Sequence, residues 1–99
     1  MVTMAAYEFD WDPAKDASNV RKHGITFEEA STVFDDINGR MIYDDDHSED
    51  EERFLLLGQS LISRLLIVCH CYRNGDAVVR IISARKATSK ECKTYGGGL

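Results

Sequence analysis

Residues 64–85 read RLLIVCHCYRNGDAVVRIISAR, and this stretch decides the fold of the chain. It contains two runs rich in Leu, Ile and Val on either side of Asn74-Gly75. That dipeptide favours a type I′ hairpin turn, because both central residues of such a turn need positive φ. A two-residue turn would pair Arg73 with Asp76 and would fix the register of both strands. The sequence therefore predicts an antiparallel hairpin.

The register of this hairpin also predicts where its arginines lie. Since side chains alternate between the two faces along a strand, Arg64 and Arg85 would lie near the same end and on the same face. Arg80 would project from the opposite face unless a bulge intervenes. Two guanidinium groups at one end of one face are close enough to bind a single phosphate, so this end is a candidate anion site.

The N-terminal part of the sequence predicts one strand and two helices. Aromatic and acidic residues alternate over residues 7–12, which favours a half-buried strand. Asp12 is a suitable N-cap for a helix that begins at Pro13 and ends before Gly24, a residue that adopts the left-handed conformation at low cost. Thr26 begins a capping-box sequence for a second helix, whose apolar residues fall on one face.

The C-terminal part predicts the remaining strands and one short helix. Two strand patterns, at about residues 41–44 and 54–59, precede the hairpin. A second capping box, which begins at Thr88, predicts a helix through about Tyr95, and residues 1–6 and 96–99 should fray. The order β-α-α-β-β-β-β-α indicates a single α+β domain over residues 1–99 with a mostly antiparallel sheet.

The composition favours a small domain in a reducing compartment. Of 99 residues, 43% are hydrophobic, and the three cysteines have no paired spacing. No apolar run approaches the roughly 18 residues of a membrane helix, and the N-terminus lacks the pattern of a signal peptide. We therefore expect a cytoplasmic protein that does not interact with membranes.

The net charge of -5 is unevenly distributed along the chain. Residues 1–58 contain 15 acidic and 5 basic residues, whereas residues 59–99 contain 7 basic and 2 acidic residues. An acidic total argues against a protein that coats nucleic acid nonspecifically. The second part of the chain can still carry a basic site, and the first part can bind a basic partner. Segregated charge that only maintains solubility is an equally good interpretation.

The sequence predicts no metal and no cofactor. The acidic segment 44–52 lacks the ligand spacing and central glycine of an EF-hand loop, so a solvated loop is the favoured interpretation. Cys69-His70-Cys71 would alternate in a strand, which would point the thiols away from the imidazole and suits no tetrahedral zinc site. Buried cysteines and a hydrogen-bonded core histidine are the favoured interpretation of this tripeptide.

The residues left for chemistry are cationic and aromatic. Cleavage of RNA without a metal needs a base for the 2′-hydroxyl, cations for the phosphate and an acid for the 5′-oxygen. His23 could be a proton carrier or only a helix cap, and Glu91 is more typical of a capping box than of a catalytic base. The candidate residues are Lys22, His23, Arg64, Arg80, Arg85, Lys86 and Tyr95.

Several motifs in the chain resemble those of the BrnT toxins, the toxic component of the BrnT/BrnA type II toxin–antitoxin system. They extend from about residue 7 to residue 95, and Lys-His-Gly together with Ile-Ser-Ala-Arg at this length is specific. The matching residues are Phe9-x-Trp11-Asp12, Asn19-x-x-Lys22-His23-Gly24-Ile25-x-Phe27-x-x-Ala30, Val33-Phe34-Asp35-Asp36, Asp46-His47-Ser48, Glu52-Arg53-Phe54, Gly58-x-Ser60, Arg64-Leu65-Leu66, Arg80-Ile81-Ile82-Ser83-Ala84-Arg85-x-Ala87-Thr88, Glu91 and Tyr95.

The resemblance implies a compact RelE-like α+β fold and a ribonuclease that blocks translation. It also implies neutralisation by BrnA, a ribbon-helix-helix antitoxin, in a complex that contacts operator DNA only through the antitoxin. By similarity to RelE-type toxins, Arg64, Arg80, Arg85 and Tyr95 are expected to be catalytic. The family's own motif adds His23 as a catalytic candidate and Lys22 as an RNA contact, and we add Lys86 to the RNA contacts.

Two functions therefore remain open from the sequence. The first is a metal-independent endoribonuclease, whose arginines would converge on one phosphate-sized recess and whose product would be a 2′,3′-cyclic phosphate. The alternative is a catalytically weak or inactive module that binds the antitoxin and acts as a corepressor. In that case the acidic part of the chain would be the docking surface for a basic partner.

Overall fold

The computed structural model describes residues 7–43 and 52–97. In these two ranges the chain forms five strands, three α-helices and a short 3₁₀ helix. Their bounds are β1 Glu8–Asp10, α1 Pro13–His23, α2 Phe27–Thr32, the 3₁₀ helix Val33–Asp35, β2 Arg40–Tyr43, β3 Phe54–Gln59, β4 Leu65–Arg73, β5 Val78–Lys86 and α3 Ser89–Gly97.

The five strands form one sheet in the order β1-β5-β4-β3-β2. β1 pairs with β5 in parallel, and the other three pairings are antiparallel. The predicted α+β class with a mostly antiparallel sheet is therefore confirmed. No helix in the described part of the chain has the length and apolarity to span a membrane.

Some predictions concern residues outside the described ranges. These are the solvated loop over most of 44–52, the Asp46-His47-Ser48 part of the resemblance, and the fraying of residues 1–6, 98 and 99. The helix predicted to end at about Tyr95 continues through Gly97.

The first helices begin and end as the sequence predicts. The Asp12 side chain accepts a hydrogen bond from the Ala14 N–H, with 2.9 Å between Oδ1 and N. Gly24 follows the last turn of α1 with φ 69°. Thr26 caps α2 through its hydroxyl, which accepts from the Glu29 N–H at 3.0 Å. These side chains satisfy backbone groups that a helix terminus leaves unpaired.

The predicted two-residue turn of the central hairpin is wrong. Arg73 pairs with Val78, so residues 74–77 form a four-residue loop. Asn74, Gly75 and Asp76 all have positive φ, at 52°, 62° and 73°. Asp76 also adopts the left-handed conformation, so it belongs to the loop and not to β5. The hydrogen bond that closes the turn therefore comes from the Ala77 N–H, which donates to the Asn74 carbonyl at 3.2 Å. The strand pairing is displaced by two residues.

A bulge in β5 overturns the predicted grouping of the arginines. His70 pairs with Ile81 but Cys69 pairs with Ser83, so Ile82 is an extra residue. One extra residue moves every later side chain to the other face. Arg85 therefore shares a face with Arg80, and not with Arg64 as the uninterrupted register predicted.

One face of the sheet carries the core beneath the helices. Side chains from β3, β4 and β5 meet apolar residues from α2 and from the segments at its two ends. Phe9 of β1 and Trp11, which follows this edge strand, pack against the cluster and are partly buried. The buried members are Ile25, Phe27, Ala30, Val33, Leu56, Leu66, Val68, Val79, Ile81 and Ala84.

Asn19 attaches α1 to the sheet through three hydrogen bonds. Its Nδ2 donates to the carbonyls of Ala84 and Ile25 at 2.8 and 2.9 Å. Its Oδ1 accepts from the Ala84 N–H at 3.0 Å. Asn19 is only 5% exposed, and no other residue of α1 is buried. A polar helix is therefore fixed to the sheet by one buried amide.

The backbone of Ala84 is available to Asn19 because of the ladder pattern. The Ala87 N–H donates to the Leu65 carbonyl at 2.9 Å. Hydrogen-bonded and non-hydrogen-bonded pairs alternate along an antiparallel ladder. Ala87 and Leu65 form a hydrogen-bonded pair, so Ala84 and Val68, three pairs further along, form a non-hydrogen-bonded pair. The N–H and C=O of Ala84 therefore point away from β4, beyond the end of β1, and Asn19 completes this edge.

We predict that Asn19→Ala lowers the free energy of unfolding by about 2–4 kcal/mol, because it leaves buried backbone groups of Ala84 unpaired. Asn19→Asp should be destabilising too, since a carboxylate cannot donate to the two carbonyls. Urea denaturation of the purified variants measures the effect. Val20→Ala, at the exposed neighbouring position, is the control. A loss below about 0.5 kcal/mol for Asn19→Ala would contradict the assigned role.

Candidate functional site

A cleft of about 180 Å³ lies between α1 and the bulged part of β5. The helical residues that line it are spaced three or four apart, so they share one side of α1. The bulge at Ile82 supplies the opposite wall together with the Ser83 that follows it. The lining residues are Lys15, Ser18, Asn19, Lys22, His23, Ile82 and Ser83.

The lining of this cleft suits an anion. It contains two ammonium groups and one imidazole, no carboxylate, and the hydroxyls of Ser18 and Ser83. Lys22 and His23 lie in the last turn of α1, where the helix dipole favours positive charge. The side chains can therefore neutralise a phosphate and donate hydrogen bonds to its oxygens, and an imidazole can transfer a proton near neutral pH.

Arg64 lies next to this cleft but is ion-paired with Glu29. Its Nε donates to Oε2 of Glu29 at 2.9 Å, its Nη2 contacts Oε1, and Nη2 also donates to the Gly24 carbonyl at 3.2 Å. The hydrogen bond from Arg64 lowers the pKa of Glu29, with a smaller contribution from the charge of Lys86. Glu29 is thus held ionised, and Arg64 fixes the backbone that follows His23.

This role of Glu29 revises the first predicted capping box. Thr26 caps the helix as expected, but the Glu29 carboxylate binds Arg64 and accepts from the Ser60 hydroxyl at 2.8 Å. The ion pair joins α2 to the start of β4. Glu29 binds Arg64 and not the backbone at the start of α2, because a charged bidentate contact is stronger than a single hydrogen bond to a helix-terminal N–H.

Arg85 forms a two-pronged ion pair with Glu91 of α3. The nitrogen–oxygen distances are 2.8 and 3.0 Å. Glu91 also accepts from the Thr88 N–H at 2.8 Å, and the Glu91 N–H donates to the Thr88 hydroxyl at 3.2 Å. The capping-box interpretation of Glu91 is therefore confirmed. The hydrogen bond from Arg85 lowers the pKa of Glu91 to about 2.

Arg80 lies apart from the other arginines. It forms an ion pair with Asp10, its pairing partner on β1. Arg80 and Arg85 share a face but are separated by about 15 Å along the strand. Arg64 lies on the opposite face. The expectation that the three guanidinium groups converge on one recess is therefore wrong, because the bulge and three carboxylates separate them.

Tyr95 is tied to the connection between α2 and β2. Its hydroxyl donates to Oδ2 of Asp36 at 2.7 Å, and the same oxygen accepts from the Gln59 N–H at 2.8 Å. The hydrogen bond to Asp36 raises the pKa of Tyr95. A phenol held protonated in this way fixes α3 to the domain and lies away from the α1–β5 cleft.

The structure thus brings together some predicted residues and separates others. Lys22 and His23 line the cleft, and Arg64 reaches the adjoining Gly24 carbonyl. Sequence reasoning missed Lys15 and Ser83. The spacing of Lys15 and Lys22, seven residues apart on one helix, could have indicated the first. The position of Ser83 depends on the bulge, which no residue pattern indicated.

His70 is a core residue as predicted, but its hydrogen bonding is incomplete. It is fully buried, Nδ1 lies 3.1 Å from the Val68 carbonyl, and burial lowers its pKa to about 4. Its Nε2 has no partner among the residues that the structure describes. Nor do the described residues include three His, Cys, Asp or Glu side chains grouped as metal ligands.

The comparisons with known proteins identify the family. A family model described as "Ribonuclease toxin, BrnT, of type II toxin-antitoxin system" matches residues 11–91. The chain therefore belongs to the toxins of type II toxin–antitoxin systems. Within that class it belongs to the BrnT family of ribonuclease toxins.

A solved structure supports the fold independently. The 1.1 Å crystal structure of the Brucella abortus ribonuclease toxin BrnT is similar with a TM-score of 0.63 and 20% sequence identity. The similarity covers 84% of this chain and 99% of the Brucella chain. The search of curated protein sequences finds no match.

The ion pair of Glu91 predicts a specific pH dependence. Because the folded pKa, about 2, lies below the ordinary 4.5, the pair stabilises the fold above the unfolded-state pKa. That contribution is lost as the pH falls from about 5 to about 2. Glu91→Gln keeps the capping oxygen but removes the charge, so its stability should fall less over this range than that of the wild type. Urea midpoints measured across the range test this, with Glu28→Gln as the control. A wild-type-to-variant difference that does not change with pH would contradict the assignment.

Proposed function

We propose that this chain is an endoribonuclease toxin that inhibits translation by cleaving RNA in the α1–β5 cleft. We further propose that it needs no metal and that a BrnA-like ribbon-helix-helix antitoxin neutralises it and alone contacts operator DNA. Family membership supports the reaction class. The observation that carries the location is the lining of the cleft, which contains Lys15, Lys22 and His23 and no carboxylate.

In this proposal the lysines bind the scissile phosphate and His23 transfers protons. His23 accepts the proton of the 2′-hydroxyl, whose oxygen then attacks the adjacent phosphorus. The bond from phosphorus to the 5′-oxygen breaks, and that oxygen takes a proton from water or from the imidazolium. The products are a 2′,3′-cyclic phosphate and a 5′-hydroxyl. The ammonium groups of Lys15 and Lys22 stabilise the charge that develops on the phosphate oxygens.

The arginines have supporting roles in the same proposal. Arg64 is a positioning residue, since it binds the carbonyl of Gly24 directly after His23. Arg85 and Lys86, which follow the cleft residue Ser83 along β5, contact the RNA backbone in this proposal. The RelE resemblance implies that Arg80 and Tyr95 are catalytic. Their contacts with Asp10 and Asp36 instead favour a structural role for both residues.

A second candidate function is the inactive module that binds the antitoxin and acts as a corepressor. The observation that favours it is the engagement of Arg64, Arg80 and Arg85 by carboxylates of the same chain. Phosphate would have to compete with these internal partners. The two candidates differ in one measurable property, which is cleavage of RNA by the chain alone.

We predict that the purified chain cleaves a fluorescent RNA oligonucleotide in the presence of a metal chelator. His23→Ala should reduce the rate by about 10²–10⁴-fold, because it removes the proton carrier. Lys22→Ala should reduce it by about tenfold through lost phosphate binding. Lys93→Ala removes an exposed lysine of α3 and should leave the rate unchanged. Circular dichroism verifies that each variant is folded.

The outcomes separate the proposals. A wild type that is inactive towards RNA but forms a stable complex with its antitoxin would support the corepressor module. Activity that survives His23→Ala and Lys22→Ala would reject the α1–β5 cleft as the site. Activity abolished by the chelator and restored by a divalent cation would reject metal independence.

A further inference from the structure

A second and larger cleft lies beside the hairpin loop. Its volume is about 540 Å³, and it is lined by Tyr7, Glu52, Phe54, Tyr72 and Asp76. We call these five residues the aromatic cage. The cage lies at the end of β4 where Tyr72 precedes the loop, whereas the α1–β5 cleft is lined by Ile82 and Ser83 in the middle of β5.

The rings of the cage stand at an angle to one another. The Tyr7 and Tyr72 centroids are 6.3 Å apart with planes inclined at 47°. The Phe54 and Tyr72 centroids are 5.5 Å apart with planes inclined at 66°. Three rings at such angles present faces and edges to a shared space. Ring faces carry the negative part of the aromatic quadrupole and attract cations.

The cage also carries two carboxylates, those of Glu52 and Asp76. Glu52 and Asp76 are both exposed and make no ion pair with any residue in 7–43 or 52–97. Burial raises the pKa of Tyr72, and the neighbouring Tyr7 and Asp76 raise it further. By the register, Arg73 projects from the opposite face to Tyr72. Among the residues that the structure describes, the lining therefore has two carboxylates and no cation.

The layer beneath the cage adds no positive charge. His70 stacks near Phe54 with 6.0 Å between centroids and contacts Tyr72 edge to face at 5.3 Å. With its pKa lowered to about 4 by burial, His70 is neutral near pH 7. The wall behind the rings is therefore apolar and uncharged, and it does not repel a cation that enters the cage.

We propose that the aromatic cage binds an arginine side chain presented by the antitoxin. A guanidinium is planar, stacks on aromatic rings and donates two hydrogen bonds to a carboxylate, so Tyr72 and Asp76 can engage it together. The acidic lining excludes RNA phosphate by like-charge repulsion, which leaves a basic protein segment as the occupant. The choice of the antitoxin rests on membership of a type II toxin family, whereas the arginine site itself does not depend on ribonuclease activity.

The arginine site is tested with two short peptides that differ in one group. Acetyl-Ala-Arg-Ala-amide carries the guanidinium, and the matched peptide carries citrulline, its uncharged isostere. We expect the arginine peptide to cause saturable NMR shifts at Phe54 and Tyr72 with millimolar affinity, as befits one ion pair and one cation–π contact. The citrulline peptide should bind at least about tenfold more weakly. Equal binding of both peptides, or no saturable shift, would overturn the proposal.

Charge-removing variants locate the site. Asp76→Asn suits the left-handed conformation of residue 76, because asparagine tolerates positive φ as well as aspartate does. Together with Glu52→Gln it should weaken binding of the arginine peptide about tenfold or more. Glu28→Gln, which removes an exposed carboxylate of α2, is the control. Unchanged peptide binding by the double variant would place the arginine elsewhere.

The antitoxin is tested in the complex. The double variant should release the antitoxin at least about tenfold faster than the wild type or Glu28→Gln in a surface-binding measurement. An unchanged release rate with impaired peptide binding would reject the antitoxin as the occupant. Failure of the chain to cleave RNA would leave each of these results interpretable, since none of them depends on catalysis.

Discussion

The buried amide of Asn19 is the contact on which the arrangement of the site depends. The helix that carries Lys22 and His23 buries no apolar side chain, so hydrophobic packing does little to hold it in place. Asn19 instead completes the open edge of β5 by pairing with both backbone groups of Ala84. The same bonds prevent this part of β5 from pairing with a further strand, which is a common route to aggregation at a sheet edge. One side chain thus positions the cationic end of α1 and also protects the sheet.

The bulge at Ile82 has a comparable influence on the charges. Without it, Arg85 would lie on the face of Arg64 and compete for the same acidic partners. With it, each arginine has a separate carboxylate, and Arg85 binds Glu91 of α3. Two of these three ion pairs join the basic part of the chain to the acidic part. The uneven charge along the sequence is therefore partly neutralised within the fold.

Much of the fold could be predicted because its signals are local. Asp12, Gly24 and Thr26 mark helix ends through bonds to residues only two to four positions away. The four-residue loop and the bulge could not be predicted, since both depend on how β4 and β5 pack against the whole core. The predictability of the site residues divides in the same way, between local and long-range signals. Lys22 and His23 belong to one recognisable motif, whereas the partner of Arg64 is 35 residues away and no spacing rule indicates it.

The two clefts place opposite charges along one hairpin, with the aromatic cage beside the loop and the α1–β5 cleft beside the middle of β5. The β5 residues of the α1–β5 cleft, Ile82 and Ser83, lie four and five positions after Val78, so about 15 Å of strand separates this cleft from the loop end of β5. An antitoxin anchored at the aromatic cage would therefore not cover the α1–β5 cleft by that contact alone. About five further residues in extended conformation would be needed to reach it. Neutralisation by such a partner requires a segment of several residues along β5, and loss of the cage contact should weaken binding of the antitoxin while leaving the α1–β5 cleft intact.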